Sequence, residues 1–371
     1  MSTTAPENIA PAAWHTAWHT AWRSLARPSI VLPLGAVVGA LIVGLIIIVS
    51  IGVPLSEAVS AFLDGAFGSE YALAASISRA VVFSAIGLGF IFANQANLTN
   101  VGGEGQIAVA AIAAAAVALK TPVADLPLGL AFVLPMLAAV AAGAVWGGIC
   151  GVLKVKVGTN EVISSLLLTF IGVWLLYWSV QSIDLLRQPM TSTATLPETL
   201  EIPDATKLPV LFDVAGPLNL GLVIVAVLAI VIELALHKSV FGVRLRAVGL
   251  NELAARRAGI PYDRYVMLAM AVSGAFGGLA GAIMLQGEQY VLKDGFTSGY
   301  GFDGLVVGLL ARGSAIGVVL GGLFFGFLRS GGINMEMVAK VPSAVVVIIQ
   351  GLVIIAIAMS GYWLSSRGAR R

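Results

Sequence analysis

Long apolar runs separated by short polar segments occupy nearly the whole chain. Runs that approach the roughly 20 residues needed for a helical membrane span lie near 30–53, 72–93, 104–119, 128–152, 161–182, 219–236, 264–286, 302–312, 314–330 and 342–363. The pattern predicts an all-α polytopic membrane protein with about ten transmembrane helices. Run 302–312 is too short to cross alone as a regular helix. It is either half of a broken helix or joined to its neighbour across Arg312 and Gly313. The organisation that follows is an interfacial N-terminal segment at 1–29, a membrane domain at 30–363 and a basic tail at 364–371. Two polar insertions stand out, at 183–218 and 237–264.

Composition supports this class. Hydrophobic residues make up 58% of the chain, charged residues only 11%, and mean hydropathy is +0.97, which is outside the range of soluble domains. Charge then orients the spans, because Lys and Arg accumulate on the cytoplasmic side. With ten spans and a cytoplasmic N-terminus, the inner segments hold Arg23, Arg27, Lys154, Lys156, Lys238, Arg244, Arg246, Arg256, Arg257, Arg264, Arg312, Arg367, Arg370 and Arg371. The outer ones hold Lys120, Arg187, Lys207, Lys293, Arg329 and Lys340. Both termini are expected inside. The basic island at 237–264 then faces the cytoplasm, and the Pro-punctuated segment 183–218 becomes an outer loop with little core of its own.

Smaller features are mostly structural. Trp14, Trp18 and Trp22 recur every four residues beside Arg23 and Arg27, as in a helix lying in the membrane interface. His15 and His19 have metal-pair spacing but no third ligand nearby. A solvent-facing stripe explains them better. No cleavable signal is evident, since the first apolar run has span length. Cys150, the single cysteine, lies in an apolar run, which excludes a disulfide and a thiolate metal cluster.

Polar chemistry inside the membrane concentrates in two places. Asn94-Gln95-Ala96-Asn97-Leu98-Thr99-Asn100-Val101-Gly102-Gly103-Glu104-Gly105-Gln106 separates two apolar runs. Its amides and carboxylate would be costly against lipid, so they face protein, a cavity or the interface. Gly299-Tyr300-Gly301-Phe302-Asp303-Gly304 opens the short eighth run. Its formal GxGxxG match is spurious, because no strand precedes it. In the ten-span arrangement the helices opened by Glu104 and Asp303 run in opposite directions. That is what an inverted repeat with broken helices beside a transport path requires, although Gly-acid-Gly is also a common helix start. Asn160 and Glu161 open the fifth span, and Gln286 and Glu288 close the seventh. Glu233 is expected to pair with Lys238. The small-residue series Gly143-Gly147-Gly151 and Gly274-Gly278 indicate close helix packing.

Absences narrow the function. There is no phosphate-binding Gly-x-x-x-x-Gly-Lys loop, no zinc-protease motif and no nucleophile elbow. The chain is not expected to be an enzyme, and it carries no cofactor motif of its own.

Four motifs, in order, resemble one family. Thr99 through Gln106 is similar to the Phe-Asn-Ile-Gly-x-Glu-Gly-Gln signature of bacterial ABC importer permeases for nucleosides and simple sugars, within the ribose and branched-chain amino acid permease superfamily. Asn160-Glu161-Val162-Ile163 resembles its Asn-Glu-Val-Ile segment. Arg246 to Ile260 resembles its cytoplasmic coupling segment, and Gly301-Phe302-Asp303-Gly304 with Leu309-Leu310 a further signature. Thr99, Thr169 and Ala315 depart from the residues common in the family.

The resemblance implies a permease subunit that forms the path for a nucleoside or simple sugar in the bacterial plasma membrane. Its expected partners are a cytoplasmic ABC ATPase carrying ATP and Mg, a second permease chain and an extracytoplasmic binding lipoprotein. Asn251, Glu252, Ala254, Ala255, Arg256, Arg257, Gly259 and Ile260 are the expected ATPase coupling residues. Asn97, Asn100, Glu104, Gln106, Asn160, Glu161, Phe302 and Asp303 are the candidates for the translocation path. The rival reading is a secondary transporter or channel for a small polar solute, which would need coupling ions or a filter and no basic docking island.

Overall fold

The computed structural model describes residues 28–127, 129–190, 195–211 and 216–368. The expectations for Trp14, Trp18, Trp22, His15 and His19, and for the last three residues, lie outside them. The described helices are α1 (Pro28–Ser50), α2 (Leu55–Phe67), α3 (Glu70–Gln95), α4 (Gly103–Lys120), α5 (Leu130–Val157), α6 (Glu161–Gln181), α7 (Gly221–Lys238), α8 (Val240–Leu250), α9 (Glu252–Arg257), α10 (Tyr262–Met284), α11 (Tyr300–Leu310), α12 (Ala315–Ala339) and α13 (Ser343–Gly368). A single π turn, Leu285–Gln289, extends α10.

Seven helices among the described residues are long and apolar enough to cross a membrane: α3, α4, α5, α6, α7, α10 with its π turn, and α12. Shorter apolar stretches lie at Val38–Ser50, Tyr300–Leu310 and Ala344–Ala356. Together they occupy the ten expected positions, so the chain is an all-α, multi-pass membrane protein. The open question about run 302–312 is settled in favour of a separate half-length helix. Arg312 (φ 49°) and Gly313 (φ 84°) both adopt left-handed backbone, and that turn stops α11 before α12 begins. Helix α2 was not foreseen. It is only 13 residues long and carries Glu57, Asp64 and Gly65, so no span-length apolar run marks it.

The chain divides into two compact units, residues 60–335 and residues 1–59 with 336–371. In the smaller unit α1 lies along α13, and Gly44 faces Ile349. In the larger unit α3 is the central element: 89% of its most apolar window is buried, against 28% for α7. The most extensive pairing is α5 against α10. Gly143 lies against Gly274 and Gly278, Gly147 against Met270 and Gly274, and Gly151 against Met267. The two small-residue series therefore interlock with each other, antiparallel, backbone against backbone. Without side chains in the seam the helices gain dispersion contacts that lipid cannot supply. Cys150, on the same helix, is buried.

Candidate functional site

Helix α3 ends at Gln95, and the chain turns through Asn97, whose φ of 56° is a left-handed conformation that Asn tolerates better than most residues. Leu98 to Gly102 is non-helical, and α4 starts at Gly103. This segment runs inside protein, where irregular backbone is tolerated only if its polar groups are satisfied. They are. Asn100 and Gln106 exchange side-chain hydrogen bonds at 3.1 and 3.2 Å, Asn100 donates to Ser273 Oγ at 2.8 Å, and the Gly102 N–H donates to Asn100 Oδ1 at 2.9 Å. The Val101 N–H donates to Ser165 Oγ on α6 at 3.1 Å. Asn100 is 5% and Gln106 1% exposed.

Glu104 joins the two predicted motifs. Its carboxylate accepts from the Gly299 N–H at 2.7 Å and the Gly301 N–H at 2.6 Å. These amides sit at the start of α11, where unsatisfied donors and the helix dipole favour an anion. Gly103 and Gly301 abut, so α4 and α11 meet at their N-termini. A side chain at Gly301 would strike the backbone of Gly103 and Glu104. That is the physical reason both motifs are glycine-rich. Phe302, 41% exposed, and the half-exposed Asp303 follow on the first turn of α11.

Of the remaining path candidates, Glu161 borders the same non-helical segment at the Thr99 backbone. Asn97 is exposed at the end of α3. Asn160 is exposed and caps α6, accepting from the Val162 and Ile163 N–H groups. Glu161 forms an ion pair with Lys154 at 2.6 Å. Thus Asn100, Glu104, Gln106 and Gly301 form one cluster; Glu161 borders it through Thr99, and exposed Asn160 lies at the same end of α6, opposite Trp178.

The basic island is two helices. α8 is capped by Ser239, and α9 by Asn251, whose Oδ1 accepts from the Ala254 N–H at 3.0 Å. α9 ends in a Schellman turn, with Gly259 at φ 75°, Ile260 N–H on Ala255 O and Gly259 N–H on Arg256 O. The expected coupling residues from Asn251 to Ile260 thus form one short helix capped at both ends. Ala255 is buried within the chain, whereas Glu252, Ala254, Arg257 and Gly259 are exposed. Arg256 is held by Glu252 at 3.0 Å and by Asp263, and it lies over the Tyr262 ring. The Asp263 and Glu252 carboxylates push its pKa further up.

Helix α8 connects this island to the turn between α3 and α4. Gly249 lies directly against the backbone of Gln95, Ala96 and Asn97. Phe241 stacks between Phe92 of α3 and Tyr265 of α10, with centroids 5.9 and 5.4 Å apart.

Several features differ from the sequence reading. Glu233 pairs with His237 at 3.1 Å and accepts from the Ala315 N–H at 2.8 Å. It therefore closes the start of α12 instead of binding Lys238, because i,i+4 spacing places His237 on its face. Segment 183–218, expected to have little core of its own, is docked onto the end of α10. Leu186, Ile202, Leu208, Thr199 and Thr206 are buried, and backbone bonds run from Thr199 to Leu292, Ile202 to Tyr290 and Leu208 to Gln286. Gln286, fully buried, donates to Thr206 O and Phe132 O. Lys207 is ion-paired with Glu201 and Asp204 and sits 4.6 Å over the Tyr290 ring. Those carboxylates, Asp204 foremost, hold its pKa above the ordinary lysine value. A Pro-rich composition signals no regular structure, but it does not forbid docking onto a neighbour.

One buried constellation was missed. Arg79 of α3 pairs with Glu288 at 3.2 Å and donates to Ser330 Oγ of α12 at 2.8 Å. Beside it, Phe83 stacks on Tyr300, and Arg329 lies over the same ring. A lone Arg inside an apolar run is itself a signal that a partner carboxylate must be near.

A half-length helix meeting the N-terminus of a span inside a polytopic helical protein, beside a basic helical island, is an arrangement suited to a membrane transport protein. The family of branched-chain amino acid transport system permease components matches residues 72–358, and the chain belongs to it. It is 32% identical to a guanosine ABC transporter permease of Bacillus subtilis over 89% of this chain and 93% of that one. It is 33% identical to a glucose ABC transporter permease of Haloferax volcanii over 89% and 87%. It is 27% identical to a nucleoside ABC transporter permease of Lactococcus lactis over 86% and 90%. No solved structure gives a significant match. The chain is the permease component of an ABC importer. In this family ATP hydrolysis belongs to a separate chain, and a substrate-binding protein works with the permease. The rival reading as a secondary transporter or channel is thereby set aside.

Proposed function

We propose that this permease passes a neutral nucleoside or simple sugar across the bacterial plasma membrane. It would work with a second permease chain, an extracytoplasmic binding lipoprotein and a cytoplasmic ATPase carrying ATP and Mg, with both of its own termini cytoplasmic. The observation that carries the cargo class is Glu104 on the Gly299 and Gly301 amides. The positive end of a half-helix is a ready site for an anion. Here the chain's own carboxylate fills it, leaving no such pole for a carboxylate or phosphate cargo. A neutral cargo with hydroxyls and an apolar or aromatic face has no need of one. Of the path residues, Phe302 offers a ring to stack on and Asp303 an acceptor. Asn100, Glu104 and Gln106 shape the wall behind them, while Asn97, Asn160 and Glu161 line its inner entrance. The names of the guanosine, nucleoside and glucose permeases support the same cargo class.

Coupling follows the backbone. The exposed face of α9, with Ala254, Arg257 and Ala258, docks in the ATPase, and Arg256 is reserved for internal bracing. Movement of α9 and α8 passes through Gly249 into the Asn97 turn. It then passes through the segment bearing Asn100 to the junction of α4 and α11, shifting the balance between outward- and inward-facing states. Co-purification of a stoichiometric ATPase tests this. Ala254→Trp with Arg257→Glu should abolish it while the permease stays folded; unchanged association would overturn the coupling assignment.

A further inference from the structure

A cavity of about 470 Å³ opens between α4 and α6. From α4 it is lined by Val109, Ile112, Ala116 and Lys120, and from α6 and the following turn by Trp178 and Asp184, among others. Val109, Ile112 and Ala116 lie on one face of α4, at intervals of three and four residues, and lead up to Lys120. Eleven residues of helix from Val109 to Lys120 rise about 16 Å. One leaflet of a hydrocarbon core about 30 Å thick is about 15 Å deep. The apolar track is thus one leaflet long and ends in charge.

The charge is of both signs. Lys120 and Asp184 line the same cavity, and neither has a hydrogen bond or ion pair among the described residues. Trp178, 58% exposed beside them, marks the membrane–water boundary, where indole rings are favoured. An ammonium and a carboxylate left unpaired at one rim complement a ligand that itself carries both an anion and a cation. We propose that this cleft binds a zwitterionic phospholipid of the phosphoethanolamine class. Its phosphate lies on Lys120, its amine on Asp184 and one acyl chain along Val109, Ile112 and Ala116. The same α4 carries Glu104 at its other end, so a lipid here braces the helix that joins α11. The site is independent of the cargo.

Native mass spectrometry of the purified transporter complex with phosphatidylethanolamine, phosphatidylglycerol or glucose tests the assignment. Phosphatidylethanolamine should bind in preference to phosphatidylglycerol. Lys120→Ala, Asp184→Ala and Ala116→Phe should each weaken it about tenfold, equivalent to about 1.4 kcal/mol. Asp184→Ala should leave phosphatidylglycerol binding unchanged. In case a variant does not fold, phosphatidylethanolamine with brominated acyl chains should quench Trp178 in the unaltered protein, measured as the difference from Trp178→Phe. Equal or tighter phosphatidylglycerol binding, a lipid adduct indifferent to the three variants, quenching that does not involve Trp178, or displacement of the lipid by glucose would each overturn the proposal.

Discussion

Glu104 Oε2 accepts the backbone N–H of Gly301 at 2.6 Å across 197 residues of chain, and so the span-length α4 and the half-length α11 are held N-terminus to N-terminus by one carboxylate. Glu104 is 6% exposed, and its second oxygen is taken by Gly299. Glu104→Ala leaves the buried Gly301 N–H and the part-buried Gly299 N–H without an acceptor, the buried one costing about 1–3 kcal/mol. Uptake should fall at least tenfold, and the emptied amide pole should let anionic analogues of the cargo compete where they previously did not. Competition assays with a nucleoside monophosphate and a uronic acid check this.

Gly249 is the place to break transmission without touching either end. Any side chain there meets the backbone of Ala96 and Asn97, which cannot give way as a flexible side chain would, and overpacking of this kind costs about 1–3 kcal/mol. Gly249→Val should still bind the ATPase but uncouple it: basal hydrolysis persists, and its stimulation by cargo-loaded binding protein disappears. ATPase rates with and without that protein give the answer.

Asn100 and Ser273 hold the non-helical segment against α10. Asn100→Leu strips partners from Gln106, Ser273 and the Gly102 N–H, each a buried group worth about 1–3 kcal/mol when orphaned. The melting temperature of the purified permease should drop by several degrees. Ser273→Ala should cost less, and in a double-mutant cycle the two should be less than additive.

Much of this was legible in the chain. Apolar run length placed nine of the ten long or short apolar helices within a few residues, and the Gly-acid-Gly pattern picked out Glu104 and Asp303 as helix openings. The sequence could not say that Glu104 crosses to the other motif, because a contact across 197 residues has no local periodicity. Asn100 and Gln106 looked like open donors and acceptors until their pairing became visible. Arg79 and Glu288 were each readable as intramembrane charges, but their pairing spans two helices far apart in sequence, and Ser330, which accepts from Arg79, sits on a third. The island's α8 was hidden by composition: a short stretch carrying Arg244 and Arg246 between two caps reads as a polar connection.

Lys207 ties segment 195–211 to the end of α10. Its pKa is raised by Asp204 and Glu201, so the proton stays on through the pH at which a free lysine loses it. The anchoring is fully present at neutral pH and disappears as pH rises through that elevated value. An exposed network of this kind contributes at most about 1 kcal/mol. A nitroxide on the exposed Ala205 should therefore stay immobile through moderately alkaline pH and become mobile beyond it. With Lys207→Gln the pH-dependent step should vanish, while the backbone bonds of Ile202 and Leu208 keep the segment docked.

The central claim is ATP-driven passage of a neutral cargo through this permease. Its most direct measurement is uptake of labelled guanosine, glucose and leucine into proteoliposomes holding the permease with its partner chains and binding protein, with and without ATP. The account predicts ATP-dependent accumulation of guanosine or glucose and none of leucine. ATP-dependent accumulation of leucine, or equal uptake without ATP, would contradict it.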